Sequence, residues 1–391
     1  MKQFASEMSI KLAQILFSKR VKLGASKQYL SSVGKEIGMQ KLKLGVIFGG
    51  MSTEHDVSIV SGTSIIQNLN KEKYEIFPIY INPEGKWFLV TQPVSEIKVL
   101  PIGEQLQDLK PLENEMEYLR NLDVVFPVLH GLYGEDGTVQ GLLELLKVKY
   151  VGCKVLSSSI CMDKIYAKAI FEKANIPQAN YVYVRKLKNG QYAYIDKSFN
   201  ESVVLLENAV EQIINKLGLP VFVKPSNSGS SVGVKKASTS EELRNAIVYA
   251  AQYDTKILIE EEIVGREVEC AVLGTEEVKA SKVGEILSAE NFYTFDAKYK
   301  NQASRVVIPA QIPEKTMTEI QNLAIKAFKA VDGTGLSRVD FFIRKSDGMA
   351  YINEINTMPG FTQISMYPKL WEEAGISYEQ LLDELVELAS K

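Results

Sequence analysis

Leu336–Asn356 reads LSRVDFFIRKSDGMAYINEIN, with alternating apolar and polar residues on both sides of a Lys345-Ser346-Asp347-Gly348 turn. The pattern predicts strand, turn, strand. A hairpin centred on Asp347 sets Asp340 opposite Glu354 and Arg338 opposite Asn356. Strand side chains alternate, so these four share one face, while Val339, Phe341, Ile343 and Ile355 take the other, as a core requires. Two carboxylates directly opposite each other destabilise a sheet unless something lies between them. A divalent cation would do so: Asp340, Glu354 and Asn356 offer hard oxygen donors suited to magnesium or manganese, which also bind substrate phosphates. The competing reading is a solvated polar strand face. Arg338, a phosphate-sized positive charge beside the carboxylates, favours the metal.

Upstream, residues 43–48 (KLGVIF) read as a buried strand, Asp56–Leu69 as a helix and Tyr74–Ile81 as a second strand. Leu122–Leu129 is another strand, followed by a glycine-acid loop and a helix over Thr138–Lys147. Strands alternating with helices indicate a parallel α/β sheet. The polar stretch Thr91–Asn121 reads as an insertion without an assigned structure. From Ser157 three serines offer an N-cap for a helix through about Ala174, which Pro177 ends. Residues 188–202 look loop-like; strands follow at Pro220–Lys224 and Val232–Lys236, a helix near Ser240–Gln252 and a strand at Lys256–Glu260. The last third mixes strands and helices, becoming α+β. It ends in an amphipathic helix, Tyr378–Leu388, with Leu381, Leu382, Leu385 and Val386 on one side. Three units are expected after a separate segment 1–40: about 41–153, 154–260 and 261–391.

Lys224–Gly233 (KPSNSGSSVG) lies between two predicted strands, and its small residues, Ser230 and Ser231 among them, let backbone N–H groups approach an anion. It is neither a Walker A loop nor a dinucleotide fingerprint. A flexible hairpin turn is an equal reading of the loop alone; flanking Lys224, and Lys164 on the preceding helix, favour nucleotide phosphates. Glu260–Ile263 with Glu267 closes a strand at a junction where backbone groups can meet adenine and Glu267 can accept from ribose hydroxyls. The bland alternative is a solvated acidic bend. Two loops, Gly49–Glu54 and His130–Gly137, leave the C-terminal ends of parallel strands, where open α/β sheets bind ligands. Glu54 there suits a substrate ammonium and His130 its carboxyl end, although a lone histidine is as readily structural. Asn291–Arg305 reads as a long surface loop or as a lid with Lys298 and Tyr299 turned inward. Beyond Pro359-Gly360, a helix start near Phe361–Met366 exposes N–H groups and Ser365 to a carboxylate.

The 391 residues, 46% apolar and 24% charged with net charge −3, suit a globular protein with no electrostatic call for nucleic acid. No run of about 18 apolar residues suggests a membrane span. Two histidines exclude a histidine-rich metal site, and three cysteines without ligand spacing suggest buried thiols in a reducing compartment. Residues 1–38 carry seven Lys/Arg against two acids, with six serines. They read as a transit peptide, a basic arm or an extended start before Met39.

Taken together the motifs GGMSTEHDVS (49–58), HGLYGEDGT (130–138), MDK (162–164), KPSNSGSSVG (224–233), DAKY (296–299), SRVDFF (337–342) and NEINTMPGFT (353–362) resemble the D-alanine–D-alanine ligases of the ATP-grasp superfamily. The resemblance runs from about Leu42 to Leu388. It implies a three-domain ATP-grasp architecture with an N-terminal Rossmann-like parallel-sheet domain, in a cytoplasmic homodimer. It also implies ATP held by Lys164, Lys224, Ser231, Glu260, Ile263, Glu267 and Lys298, and two magnesium or manganese ions on Asp340, Glu354 and Asn356. Glu54 would bind the ammonium of the first D-alanine, Ser365 and Met366 the carboxylate of the second, and Arg338 with the Gly360 backbone the tetrahedral oxyanion. Glu54, Ser230 and Tyr299 would form a clasp under the lid. The basic N-terminal stretch is not part of the family pattern, and the family often has leucine where Met366 stands. Rival readings are a D-alanine–D-lactate ligase, whose relatives tend to lack a tyrosine at the place of Tyr299, a D-alanine–D-serine ligase, a glutathione-synthetase-like enzyme, and a nucleotide-binding regulator without catalysis.

Overall fold

The computed structural model describes residues 40–287 and 305–391. Lys298, Tyr299 and the basic N-terminal stretch therefore lie outside the described residues. Leu42–Lys391 forms one compact unit containing three sheets.

The first sheet is built by β1 (Leu42–Gly49), α1 (His55–Asn68), β2 (Tyr74–Ile81), β3 (Trp87–Val90), β4 (Leu109–Pro111), α2 (Glu115–Arg120), β5 (Val124–Val128), α3 (Thr138–Leu146) and β6 (Lys149–Tyr150), in strand order β4-β3-β2-β1-β5-β6. Strands β2, β1, β5 and β6 pair in parallel. Covered on both faces, β1 is apolar after Lys43 and buried from Leu44 to Gly49. Helix α1 is rich in small buried residues, and at Gly62 an added methyl carbon would come within 2.6 Å of Phe48 Cγ. Only glycine permits that approach. The polar insertion at 91–121 is thus partly ordered, since antiparallel β4 and helix α2 fall inside it.

The second sheet follows α4 (Val155–Met162) and α5 (Lys164–Lys173). It comprises β7 (Tyr181–Lys186), β8 (Tyr192–Ile195), β9 (Glu201–Val204), α6 (Leu206–Leu217), β10 (Val221–Pro225), β11 (Lys235–Ala237), α7 (Ser240–Ala250) and β12 (Lys256–Glu261), in order β11-β10-β12-β7-β8-β9. Three local expectations need correction. The single helix from Ser157 to Ala174 is two helices that break at Asp163, whose carboxylate caps α5 through the N–H groups of Ile165 (3.1 Å) and Tyr166 (3.4 Å). The serines are inside α4; Ser157 donates to the Lys154 carbonyl at 3.1 Å, so they cap nothing. The loop-like segment 188–202 contains β8 and the start of β9, with Tyr192 and Ile195 buried, and the strand expected at Val232–Lys236 begins only at Lys235.

The third sheet holds β13 (Gly265–Gly274), β14 (Lys279–Leu287), β15 (Arg305–Val307), α8 (Glu314–Ala330), β16 (Gly335–Arg344) and β17 (Ala350–Asn356), all antiparallel in order β15-β14-β13-β16-β17. Helices α9 (Met366–Glu373) and α10 (Tyr378–Ser390) close the chain. A capping box of Ser377 and Gln380 starts α10, whose buried residues are the four expected apolar ones. Each such side chain contributes about 1.5–3 kcal/mol over exposure. The helix returns to the first sheet: Tyr74 donates to Asp383 at 2.8 Å, and Phe361 packs edge-on against Phe126 and Tyr378.

Candidate active site

The three sheets meet at a cavity of about 630 Å³ whose lining includes Glu54, His130, Lys164, Ser230, Arg338, Glu354, Asn356, Gly360, Ser365 and Met366. On its floor, β16 and β17 pair in the register read from the sequence, Arg338 opposite Asn356 and Asp340 opposite Glu354, with an irregularity after Asp340. Strand β13 adds Glu269 beside Asp340. Three carboxylates thus stand in one row across adjacent strands. Arg338 offsets part of this charge, donating from Nε and Nη2 to Asp340 at 2.7 Å each and lying 3.0 Å from Glu269. Burial alone would lower the arginine pKa, but Asp340 and then Glu269 outweigh it and hold the guanidinium firmly charged. Asn356 donates to Asp340 at 3.0 Å, and Lys164 lies 3.7 Å from Glu354.

The phosphate loop is rooted below the cavity. Ser226 donates to Asp163 (2.5 Å), Lys256 is ion-paired with the same carboxylate, and Asp254 accepts from the Asn227 N–H at 3.0 Å. Lys164 donates to the Ser228 carbonyl at 2.6 Å. Ser230 and Ser231 adopt the left-handed region, with φ of 47° and 60°. This turns the Ser230 hydroxyl onto Glu54, to which it donates. Glu54 is itself pinned from the first sheet: a methyl on Gly131 would come within 2.7 Å of its Oε2, and Ser52 links the Glu54 N–H (3.1 Å) to the His130 carbonyl (2.6 Å).

His130 is buried, with Nδ1 3.0 Å from the Met358 carbonyl and Nε2 3.0 Å from Ser61 Oγ. The carbonyl can only accept, so Nδ1 carries the proton and Nε2 accepts from Ser61. Burial lowers its pKa, although Glu54 pulls the other way. Both ring nitrogens are engaged within the protein, while the residue also borders the cavity. Glu135 has a similar station, accepting from the N–H groups of Gly131 (2.8 Å) and Met358 (3.2 Å). Burial, and then the neighbouring Glu54, push its pKa up to about 8.

At the far wall Ser365 is the N-cap residue of α9, and its Oγ accepts from the Thr362 N–H at 3.0 Å. A methyl on Gly360 would lie 2.8 Å from that Oγ, so the two residues pack closely, and both line the cavity.

Behind Lys164, Lys224 is ion-paired with Glu260 and lies 3.3 Å from Asn353. Lys168 lies 3.0 Å from the other Glu260 oxygen. Ile263 follows in the crossing from β12 to β13 and Glu267 within β13, both half-buried. The structure therefore brings Lys164, Glu269, Glu354, Arg338, Glu54 and Ser365 around one cavity, while Lys224, Glu260 and Asp340 lie behind its lining. Sequence reasoning passed over Lys168, Glu269, Glu135 and Asp163. Helical spacing from Lys164 could have found Lys168, and strand alternation from Glu267 could have found Glu269.

The oxygens on β16 and β17 are of the kind a hard divalent ion takes, although Arg338 occupies both Asp340 oxygens and, among the described residues, no three His, Cys, Asp or Glu side chains converge as a ligand set. Asp340, Glu354 and Asn356 present oxygens on neighbouring strands, and the three-carboxylate row exceeds the charge of Arg338 and Lys164 by one.

Two family models cover the chain: D-ala D-ala ligase N-terminus over residues 43–153 and D-ala D-ala ligase C-terminus over residues 170–387. The D-alanine–D-alanine ligase of Acetivibrio thermocellus is 50% identical over 376 residues, spanning 89% of this chain and 96% of that relative. The one from Clostridium acetobutylicum is 48% identical over 353 residues, 90% and 98% of the two chains. Among solved structures, the VanG D-Ala:D-Ser ligase from Enterococcus faecalis matches with a TM-score of 0.76 at 36% identity, covering 90% of this chain and all (100%) of that one. The D-alanine-D-alanine ligase from Coxiella burnetii matches with a TM-score of 0.72 at 34% identity, covering 90% and 94%.

Proposed function

The chain belongs to the D-alanine–D-alanine ligase family, and from that premise we propose that it joins two D-alanines, at the expense of ATP, into the dipeptide used for peptidoglycan precursors. The first D-alanine carboxylate attacks the γ-phosphorus, ADP leaves, and an acyl phosphate forms. The amine of the second D-alanine attacks the acyl carbon, and inorganic phosphate departs with the former carboxylate oxygen.

The observation that carries this reading is the bond from Ser230 to Glu54, which ties the phosphate loop to the crevice of the first sheet in the cavity that Arg338 and Glu354 also line. Glu54, a carboxylate in that cavity, suits the ammonium of the first D-alanine. Lys164 and Lys224, with the backbone at Ser231, suit the ATP phosphates, and Glu260, Ile263 and Glu267 suit adenine and ribose. Asp340, Glu354 and Asn356 would hold magnesium or manganese. Bound there, such ions supply charge neutralisation between the reacting carboxylate and the phosphates. Arg338, buried and held charged, faces the oxyanion of the second step together with the Gly360 N–H. Ser365 and Met366, at the start of α9, receive the carboxylate of the second D-alanine. Lys298 and Tyr299 belong to this reading as lid residues. A cytoplasmic homodimer with units near 41–153, 154–260 and 261–391 completes it; sedimentation at micromolar concentration tests the dimer.

Phosphate release from ATP with D-alanine, alone and mixed with D-serine or D-lactate, with products weighed by mass spectrometry, tests the activity. D-alanyl-D-alanine as the main product is expected. The match to a D-Ala:D-Ser ligase structure keeps one alternative open, and a dominant mixed product would replace the second-substrate assignment by it.

A further inference from the structure

Lys164 and Lys168 are one helical turn apart on α5, so both reach the same side of the helix, yet they meet different surroundings. Lys164 borders the cavity. Lys168 does not: its side chain is 3% exposed, and its Nζ lies 3.0 Å from Glu260 Oε2 and 5.3 Å from the centre of the Tyr181 ring. The contact is an ion pair without an aligned hydrogen bond. Glu260 is equally buried, and each of its oxygens faces one lysine, Lys168 on one side and Lys224 on the other. Burial would push the Glu260 carboxyl up, but Lys168 and then Lys224 outweigh it and hold it down near 2.

The two lysines differ in what else they can do. Lys224 ends β10 at the root of the phosphate loop, 14% exposed, with a second contact to Asn353. Lys168 is enclosed, with Glu260 as its charged partner. An incoming triphosphate competes with Glu260 for Lys224. Without a second cation, that exchange would strand a carboxylate in a nearly dry site, which is strongly unfavourable.

We propose that Lys168 is a positioning residue for nucleotide binding: a fixed counter-ion that keeps Glu260 charged and oriented while Lys224 transfers to the nucleotide phosphates. The inference deepens the proposed ATP site, since Lys224 and Glu260 take their roles from that reading. It also explains why a buried glutamate is given two lysines where one would neutralise it.

Titration calorimetry of the full chain with magnesium and the non-hydrolysable analogue AMP-PNP tests this. Lys168→Met keeps the stem and removes the charge. Its dissociation constant is expected to rise roughly 10- to 100-fold, the size typical of losing a group that supports a binding residue. The KM for D-alanine should stay within about twofold, as for uncoupled sites. Lys168→Arg should recover most of the affinity. In a Glu260→Gln background, Lys168→Met should change nucleotide affinity by less than about twofold. An unchanged dissociation constant, an equal rise in the D-alanine KM, or the same loss in the Glu260→Gln background overturns the proposal. If Lys168→Met alone does not fold, the double variant decides, because removing both charges leaves no buried carboxylate unpaired, and Lys224, 14% exposed, keeps its contact to Asn353. Equal affinity in the double variant and in Glu260→Gln is expected, and a further tenfold loss overturns it. Wild-type protein that binds AMP-PNP but shows no D-alanine-dependent phosphate release sinks the ligase reading alone.

Discussion

Gly229→Ala offers a direct test of the loop closure over Glu54. The Gly229 φ lies outside the left-handed region, so alanine meets no backbone penalty there. Its methyl, however, would overlap Glu54 Oε2 and come within 3.0 Å of Cδ. Comfortable contact needs about 3.5 Å, so loop or carboxylate must retreat by roughly 1 Å. The carboxylate has little freedom to do so, since Ser230 holds Oε1 and Gly131 backs Oε2. Forced overpacking costs about 1–3 kcal/mol, which corresponds to roughly a 5- to 150-fold loss in kcat/KM. Because the loop can open instead of straining the core, the melting temperature should barely move. Phosphate release at varied D-alanine reads the first quantity and a thermal melt the second. Ser230→Ala removes a hydrogen bond to a charged group and should cost about 1.5–3 kcal/mol in the same assay. If both variants act by opening one clasp, the double variant should lose little more than the worse single. A Gly229→Ala enzyme within twofold of wild type, or losses that multiply in the double variant, would refute the clasp.

Other consequences follow from the same geometry. Arg338→Ala should lower kcat by about 10²–10³-fold if the guanidinium stabilises the oxyanion, and stopped-flow phosphate release reads this; a change confined to KM would place Arg338 in binding only. Glu135 is raised from 4.5 to about 8, so the unfolded chain binds fewer protons in that window and the carboxyl's contribution to stability is lost as pH rises through it. Glu135→Gln should therefore flatten the fall of melting temperature between about pH 4.5 and 8, and a curve parallel to wild type would contradict the assignment. His130 has the opposite sign: its lowered pKa means stability is lost as pH falls below about 6.5, where the unfolded state takes up a proton first. Tyr378→Phe removes a 2.6 Å hydrogen bond to the Phe361 carbonyl and should lower unfolding free energy by about 1 kcal/mol in urea; an unchanged midpoint would mean water replaces the hydroxyl at no cost.

The sequence by itself determined whatever depends on local periodicity. A two-residue repeat around a four-residue turn brought Arg338, Asp340, Glu354 and Asn356 together, but a bulge the sequence did not show shifts the register between Asp340 and Phe341, and the turn-side register alone would set Asp340 opposite Asn353. Apolar spacing likewise fixed β1 and the buried face of α10. Local signals misled where a tertiary partner decided the outcome. The serines at 157–159 look like a cap, but Asp163 takes that task because Ser226 and Lys256, from another strand and loop, hold its carboxylate in place. The tyrosines of 192–195 look like loop residues, but they pair as β8 against β7, with Tyr192 buried and Tyr194 half-buried in a sheet formed from distant segments. His130 could not be assigned from its position at a strand end, since its two partners, Ser61 and Met358, lie 69 and 228 residues away. The Glu260 cluster also needed the fold: Lys168 comes from a helix and Lys224 from a strand, and which carboxylate they share depends on how α5 packs across the second sheet. Spacing along the chain sets which residues share a face, and only packing sets which faces meet.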